Sequence, residues 1–325
     1  AYAYLAPAGI VLAVFWFFPV VLSFAMSFGN VTALMPLSEM RFVGLQQYQA
    51  ALSSEAFVDS LWNTTNYALY YVPATLLLSL GAALLLNTSI AGRGFFRTVI
   101  FLPHITTWVA ISLVFSYLFH REYGLGNWFL RIIMVDILGY STFTPLDWLA
   151  EPRGIWSMLL HGGKTNMVGP LPLGLDHLIN GPSLSLACII FTSVWRDIGY
   201  FMIIFLAGLQ NIDKSLYEAS SIDGANGWRR FLHITFPLLS PVTFFLLVIS
   251  MIQSFKVFVP QYMMTPLGGP GGTTQPVVML LYKEGFSGEW KLSYASAIAY
   301  LLTLIILSLT LLQNRLFAKR VEYGH

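Results

Sequence analysis

Charge is what this 325-residue sequence has least of: only 10% of its residues are Asp, Glu, Lys or Arg, against 56% apolar, and the mean hydropathy is +0.68. A soluble domain carries about a quarter charged residues, so a soluble globular fold is excluded at the outset. Cysteine is nearly absent as well. The single Cys188, set in an apolar run, rules out a disulfide within the chain and a cysteine-built metal cluster. The six His residues are scattered without HExxH or comparable ligand spacing, so no metal site is expected. Seventeen basic residues against fifteen acidic leave a net charge of +2, and no Lys/Arg-rich run occurs. The electrostatic footprint of a nucleic-acid binder is therefore missing. A membrane-embedded enzyme would need clustered acid, base or metal-binding residues in the apolar runs, and none is evident.

Long apolar runs are what the sequence does have. A helix needs about 20 mostly apolar residues to cross a hydrocarbon core about 30 Å thick, and six stretches qualify: 5–28, 65–86, 98–119, 183–206, 236–259 and 294–316. The expected fold class is all-α and polytopic, with six spans in one transmembrane domain over 1–325 and no soluble domain. The first run lacks a basic leader and a small-residue cleavage site and is too long for a signal peptide. Because the sequence opens on Ala1 rather than Met, a short preceding leader is expected.

Orientation follows from Lys and Arg in the short connections. Arg93 and Arg97 lie between runs two and three, Lys214, Arg229 and Arg230 between four and five, and Arg315, Lys319 and Arg320 after six. These segments alternate as one side must, and they are assigned to the cytoplasm, with both termini. The opposite side holds most of the acids, among them Glu39, Glu55, Asp59, Glu122, Asp136, Asp147, Glu151 and Asp176.

The segment 209–237, between runs four and five, reads as two short helices and a turn. Asp213 is placed to cap the first helix, on which Leu216, Ala219 and Ser220 recur at helical spacing. Gly224 permits the backbone conformation that ends it. Trp228, Phe231 and Leu232 give the second helix an apolar face beside Arg229 and Arg230, and Pro237 is expected to open the next span. A small amphipathic helix held between two spans suits a groove of another protein; an interfacial loop on lipid headgroups has the same pattern.

Glu218-Ala-Ser-Ser-Ile-Asp-Gly-Ala225, followed by Ile234-Thr-Phe-Pro237 and Pro241, resembles the EAA signature of permease subunits in binding-protein-dependent ABC importers, and within them the sugar-uptake permeases of the maltose and glycerol-phosphate type. Phe42-Val-Gly-Leu with Tyr48, Ser60-Leu-Trp-Asn-Thr64, Phe101-Leu-Pro103, Asp147-Trp-Leu149, Val194-Trp195, Gly199 and Leu206-Ala-Gly-Leu-Gln210 fit the same pattern. So do Phe255-Lys-Val-Phe258, Thr265-Pro-Leu-Gly-Gly-Pro-Gly-Gly272 and Tyr294-Ala-Ser-Ala297, so nearly the whole chain is covered. The resemblance implies the six-helix type I importer permease fold. It makes 209–235 a coupling loop in which Glu218, Ala219, Ser220, Asp223, Gly224 and Ala225 dock on an ATPase. Ser220 stands where the signature has its second Ala, and Asp213 where many relatives have Pro.

The implied partners are a second, homologous permease, two ATPase subunits that bind the ATP and Mg, an external solute-binding protein and a sugar or oligosaccharide. The chain itself would hold no cofactor and catalyse nothing, and it would lie in the bacterial cytoplasmic (inner) membrane. An ion-coupled secondary transporter is the alternative. It requires inverted repeats with interrupted helices at matching positions, and no such internal symmetry is visible.

Charged residues inside spans are costly and are functional candidates by default. Arg196 and Asp197 in the fourth run and Lys256 near the outer end of the fifth are candidates for a translocation path, joined by Asn66, Tyr70 and Gln253. Bonds to neighbouring helices, or snorkelling of Lys256 to the interface, use the same residues. Sequence neighbours on a helix point about 100° apart, so a mutual Arg196–Asp197 pair is not expected. Arg196 and Lys256 would suit an acidic sugar such as an alginate oligomer; neutral oligosaccharides and glycerol phosphate stand beside it.

Three external features remain. The glycine-rich stretch 268–274 lacks the Lys-Ser/Thr ending of a phosphate-binding loop and carries Pro270; it reads as a bent loop able to touch a binding protein. An external insert covers 121–182, with an amphipathic helix expected over 127–138. Its second part, 154–182, reads as loop because of Gly162, Gly163, Gly169, Pro170, Pro172, Gly174, Gly181 and Pro182. It is expected to contact the partner permease or the docked binding protein.

Overall fold

The computed structural model describes residues 2–88, 91–140, 143–160, 179–288 and 290–317. Among them there is no β-strand, only the isolated bridges Gly29–Phe42 and Gly154–Ser183. Four helices are long and apolar enough to cross a membrane: α1 (Leu5–Met26), α3 (Glu55–Leu86), α8 (Leu184–Gln210) and α14 (Leu292–Leu316). Two further pairs pass the same test together but are sharply bent. These are α4 (Arg93–Ile105) with α5 (Trp108–Leu118), bent by 97°, and α10 (Gly227–Leu238) with α11 (Ser240–Phe255), bent by 65°. Counting each pair once gives six crossings, one for each apolar run.

Both bends differ from the continuous spans expected of these runs. At the first, Thr106 and Thr107 are extended, and the Thr107 hydroxyl accepts from the Ala110 N–H at 3.4 Å, starting a new helix. Adjacent β-branched hydroxyl residues favour such a cap over a helix interior. At the second, Pro237 does not open the span: α10 already runs from Gly227, and the break falls at Leu239–Ser240. Pro241 lacks the N–H that would bond the Pro237 carbonyl, so the helix cannot continue straight through. The breaks fall in the third and fifth crossings, which are not equivalent positions in two three-span halves.

The bundle packs around α8. In its most apolar window 61% of α8 is buried, against none of α1, whose side chains such as Phe15, Trp16 and Phe17 face outward. Phe201, Phe205 and Leu246 form one core with Ala83; Tyr67, Tyr71 and Ile189 lie in a second; Phe57, Val277 and Ile298 form a third. Gly199 lets α8 meet α4: a Cβ there would lie 2.6 Å from the Phe101 Cα, with the Ile100 carbonyl oxygen closer still.

α3 is ten residues longer than its apolar run, and the extra turns carry the Ser60-Leu-Trp-Asn-Thr64 sequence. They strap down the glycine-rich loop. Asn63 donates to the Gly272 and Gln275 carbonyls at 2.8 and 3.2 Å, Gln275 donates to Ser60 at 3.1 Å, and the Val277 N–H donates to Thr64 at 3.1 Å. The strapped loop holds Leu267 at φ 64° and 81% exposed. Tyr48, from another of the quoted motifs, lies on α2 (Gln46–Leu52) and shares a 2.7 Å hydrogen bond with Ser27.

The external segment is more ordered than a plain loop. α6 (Leu125–Arg131) continues in wide turns through Ile137, covering the expected amphipathic helix from two residues earlier. Within 154–182, Ile155–Leu160 forms α7, which corrects the all-loop reading; Ile155, Trp156 and Leu159 recur at helical spacing before the glycines begin. Gly162, Gly163, Gly169, Pro170, Pro172 and Gly174 lie outside the described residues. The two ends of the insert's second part are pinned together: Ile155 N–H donates to the Pro182 carbonyl and Leu184 N–H to the Arg153 carbonyl, both at 3.0 Å. Arg153 also grips Glu151 at 2.6 Å, and this hydrogen bond holds the Glu151 carboxyl below its ordinary range.

Candidate functional site

A cavity of about 320 Å3 opens beside the bend between α4 and α5. Arg196, Asp197, Gln253 and Lys256 line it, together with Tyr67, Tyr71, His104 and Trp108, which sequence reasoning did not single out. Asn66 and Tyr70 are not among its lining residues. Asn66 is buried within α3, and the Tyr70 hydroxyl accepts from the Trp156 indole at 2.8 Å, joining α3 to the insert.

Arg196 and Asp197 do pair, contrary to expectation: Arg196 Nη1 donates to Asp197 Oδ1 at 2.7 Å. Their Cβ atoms diverge, but the long, flexible Arg stem lets its planar fork curl back to the carboxylate of the next residue. Asp197 Oδ2 accepts from the Tyr71 hydroxyl at 2.7 Å, and His104 Nδ1 lies 3.1 Å from Oδ1. Arg196 Nη2 donates to the His104 carbonyl at 3.0 Å, and its guanidinium carbon sits 4.1 Å from the centre of the Trp108 ring. A broken helix leaves carbonyls without N–H partners in a medium that has no water to offer; Arg196 supplies one at the end of α4. With its charge engaged by Asp197, Arg196 no longer argues for an acidic cargo. Lys256 is exposed to the cavity and makes no ion pair among the described residues.

The segment 209–237 has the two-helix form the sequence implies, α10 being its second helix. α9 (Lys214–Ile222) starts at Asp213, whose Oδ1 accepts from the Ser215 N–H at 2.9 Å. That backbone hydrogen bond holds the Asp213 carboxyl below its usual range. α9 ends in a Schellman motif: Gly224 sits at φ 74°, its N–H donates to the Ser221 carbonyl at 3.2 Å, and Ala225 N–H donates to the Ser220 carbonyl at 2.9 Å. The signature's Ser, Gly and Ala positions are thus the parts of a helix stop. Asn226, not anticipated, caps α10 by accepting from the Arg229 N–H at 2.9 Å. Tyr217 ties α9 to α10 through a 3.0 Å hydrogen bond to Thr235, and Arg230 donates to Ser221 at 3.0 Å.

Glu218, Ala219, Asp223 and Gly224 are exposed, while Ser220 and Ala225 are half-buried. Ile222 is 88% exposed and Trp228 67%, with Leu216 and Leu232 also open.

Six apolar crossings, a cavity lined by charged and aromatic side chains and a capped helix in the connection between two spans define a polytopic membrane protein. Residues 75–323 match the family of binding-protein-dependent transport system inner membrane components. The chain belongs to this family, the permease subunits of binding-protein-dependent transporters. It is 31% identical over 318 residues to the arabinooligosaccharides transport system permease protein AraP of Bacillus subtilis (strain 168), covering 97% of this chain and 87% of that one. It is 32% identical over 329 residues to the sn-glycerol-3-phosphate transport system permease protein UgpA of Agrobacterium fabrum (strain C58 / ATCC 33970), covering 99% and 96%. The fold matches that in a crystal structure of a bacterial ABC transporter involved in the import of the acidic polysaccharide alginate. There the TM-score is 0.74 at 20% identity, over 99% of this chain and 96% of that one. The all-α, six-crossing type I permease fold is thereby the fold of this chain.

Proposed function

We propose that this protein is the membrane-spanning subunit of an ATP-driven importer that passes a sugar or oligosaccharide, delivered by an external binding protein, through a path including the cavity beside α5. The chain itself hydrolyses nothing. Two ATPase subunits holding ATP and Mg supply the work, a second homologous permease completes the path, and closure of the ATPases moves the bundle through α9. The observation that carries this reading is the α9 surface: a helix capped at Asp213, stopped at Gly224 and tied to α10 by Tyr217, with Ile222 and Trp228 left uncovered. A rigid, capped element transmits displacement where a floppy lipid-lying loop would absorb it. The positive-inside rule supports placing this surface and both termini in the cytoplasm, in the bacterial inner membrane.

For the cargo, the curated relatives named above carry arabinooligosaccharides and sn-glycerol-3-phosphate, and the structural neighbour imports alginate. An acidic oligosaccharide such as alginate is the finer reading, and it rests on Lys256 alone. Co-purification tests the coupling claim. The wild-type chain should bring down an ATPase subunit; Glu218→Lys, which reverses charge at the exposed surface, and Gly224→Val, which is strained at φ 74°, should lose it while the protein remains membrane-inserted. Retention of the ATPase by both variants would sink the proposal.

A further inference from the structure

We infer that Arg196 and Asp197 are positioning residues that hold the break in the third crossing, and that they do not themselves grip the cargo. The inference rests on the proposal that the adjoining cavity is part of a transport path. Three observations carry it. First, the Asp197 carboxylate and both terminal nitrogens of Arg196 are engaged within the protein, although the buried Arg196 Nε has no partner: Asp197 takes Tyr71 from α3, Arg196 from α8 and the His104 ring from α4, all within 3.1 Å. Second, Arg196 is bonded on both sides of the break, to the His104 carbonyl at the end of α4 and over the ring of Trp108 at the start of α5. Third, the pair is nearly enclosed, with 13% of the Arg196 side chain and 6% of that of Asp197 accessible.

A side chain that answers an orphaned carbonyl on one arm and stacks on the first residue of the other fixes the angle between the arms. That angle shapes the cavity wall, because His104 and Trp108 both line it. A guanidinium can satisfy this geometry and an ammonium cannot: the planar fork reaches Asp197 and the His104 carbonyl with two different nitrogens, whereas lysine offers a point charge on an unbranched stem. Charge alone will therefore not restore the function.

The test uses the assembled transporter in proteoliposomes, with Cys188→Ser as background and spin labels on cysteines replacing Phe95 of α4 and Val114 of α5, both exposed. A straight helix would separate these Cα atoms by about 28 Å; the 97° bend brings them to about 18 Å. Arg196→Ala and Asp197→Asn are expected to spread the distance distribution toward the longer value by up to about 10 Å. They should also cut the maximal uptake rate at least tenfold with little change in the cargo concentration giving half-maximal uptake, and Arg196→Lys should restore neither. An unchanged distance distribution in both variants overturns the inference whatever uptake does. So does a tenfold rise in half-saturation at an unchanged maximal rate, the signature of a cargo contact. Should Arg196→Ala fail to insert, Tyr71→Phe, which removes one bond to Asp197, must still broaden the distribution. The distance measurement needs no transport, so failure of the importer reading, seen as absent ATP-driven uptake by the wild-type complex, is distinguishable.

Discussion

Replacing Gly199 by alanine adds one methyl group where α8 crosses the backbone of α4. The new Cβ would lie 2.6 Å from the Phe101 Cα and nearer still to the Ile100 carbonyl oxygen, distances that real Cβ atoms do not show. Both obstacles are backbone of α4, so no rotamer change relieves them, and α8 and α4 must part by about 1 Å in a close-packed interior. Overpacking of this kind costs about 1–3 kcal/mol, and the upper end is expected here, about a hundredfold in the folded-to-unfolded ratio. The same shift would stretch the 3.0 Å Arg196–His104 bond past hydrogen-bonding distance, so uptake should fall along with stability. Gly81→Ala is the internal control: on α3, nothing lies within 4 Å of its added Cβ, and the gain in helix propensity is up to about 1 kcal/mol. Thermal unfolding of the detergent-purified complex should place Gly199→Ala several degrees below wild type and Gly81→Ala at or above it. A Gly199→Ala variant that melts with Gly81→Ala would refute the close-crossing argument.

Other outcomes follow from single contacts. Asn226→Ala removes the cap of α10 and should cost about 1 kcal/mol of local helix stability, read as faster amide exchange at 227–230 and weaker ATPase co-purification. Because the Asp213 carboxyl is held below its usual range, its cap is fully present above the unfolded-state value and is lost only as pH falls through the lowered folded value. Co-purification should therefore be insensitive to Asp213 titration near neutral pH, and Asp213→Asn, which keeps an acceptor oxygen, should leave it unchanged. Asn63→Ala strips two carbonyls of the glycine loop of their donor and should cost about 2 kcal/mol, seen as faster proteolysis within 266–275 in right-side-out vesicles. Lys256→Gln should raise the half-saturating concentration of an acidic oligosaccharide tenfold or more while sparing a neutral one; equal effects on both would remove the acidic-cargo reading.

The crossings were legible because lipid demands a length of apolar residues that nothing else in the chain supplies; α1, α8 and α14 follow their runs closely, and α3 overruns its own by ten residues. The stop of α9 was legible too, since Gly224 is the residue its left-handed position calls for. The bends were not. The apolar runs 98–119 and 236–259 pass through Thr106–Thr107 and Leu239–Ser240 without a polar interruption long enough to end a span, and the clues, paired threonines and flanking prolines, occur inside unbroken helices as well: α3 carries Pro73 without a break. Arg196 and Asp197 stood out as misplaced charges, but their partners come from α3, α4 and α5. Tyr67, Tyr71, His104 and Trp108 therefore became visible only when those helices were brought together. Asn226 carried a readable signal, a capping residue directly before Gly227 and Trp228 of the expected second helix, whose start was not assigned a cap.

Site-directed cross-linking tests most directly the proposal that an ATPase moves the bundle through α9. In a Cys188→Ser background, Ala219→Cys, exposed on α9, should react with an impermeant thiol reagent only in inside-out vesicles and should form a cross-linked product with the ATPase subunit in the assembled transporter. Labelling from the outside, or no product with the ATPase while the complex remains intact, would contradict the account.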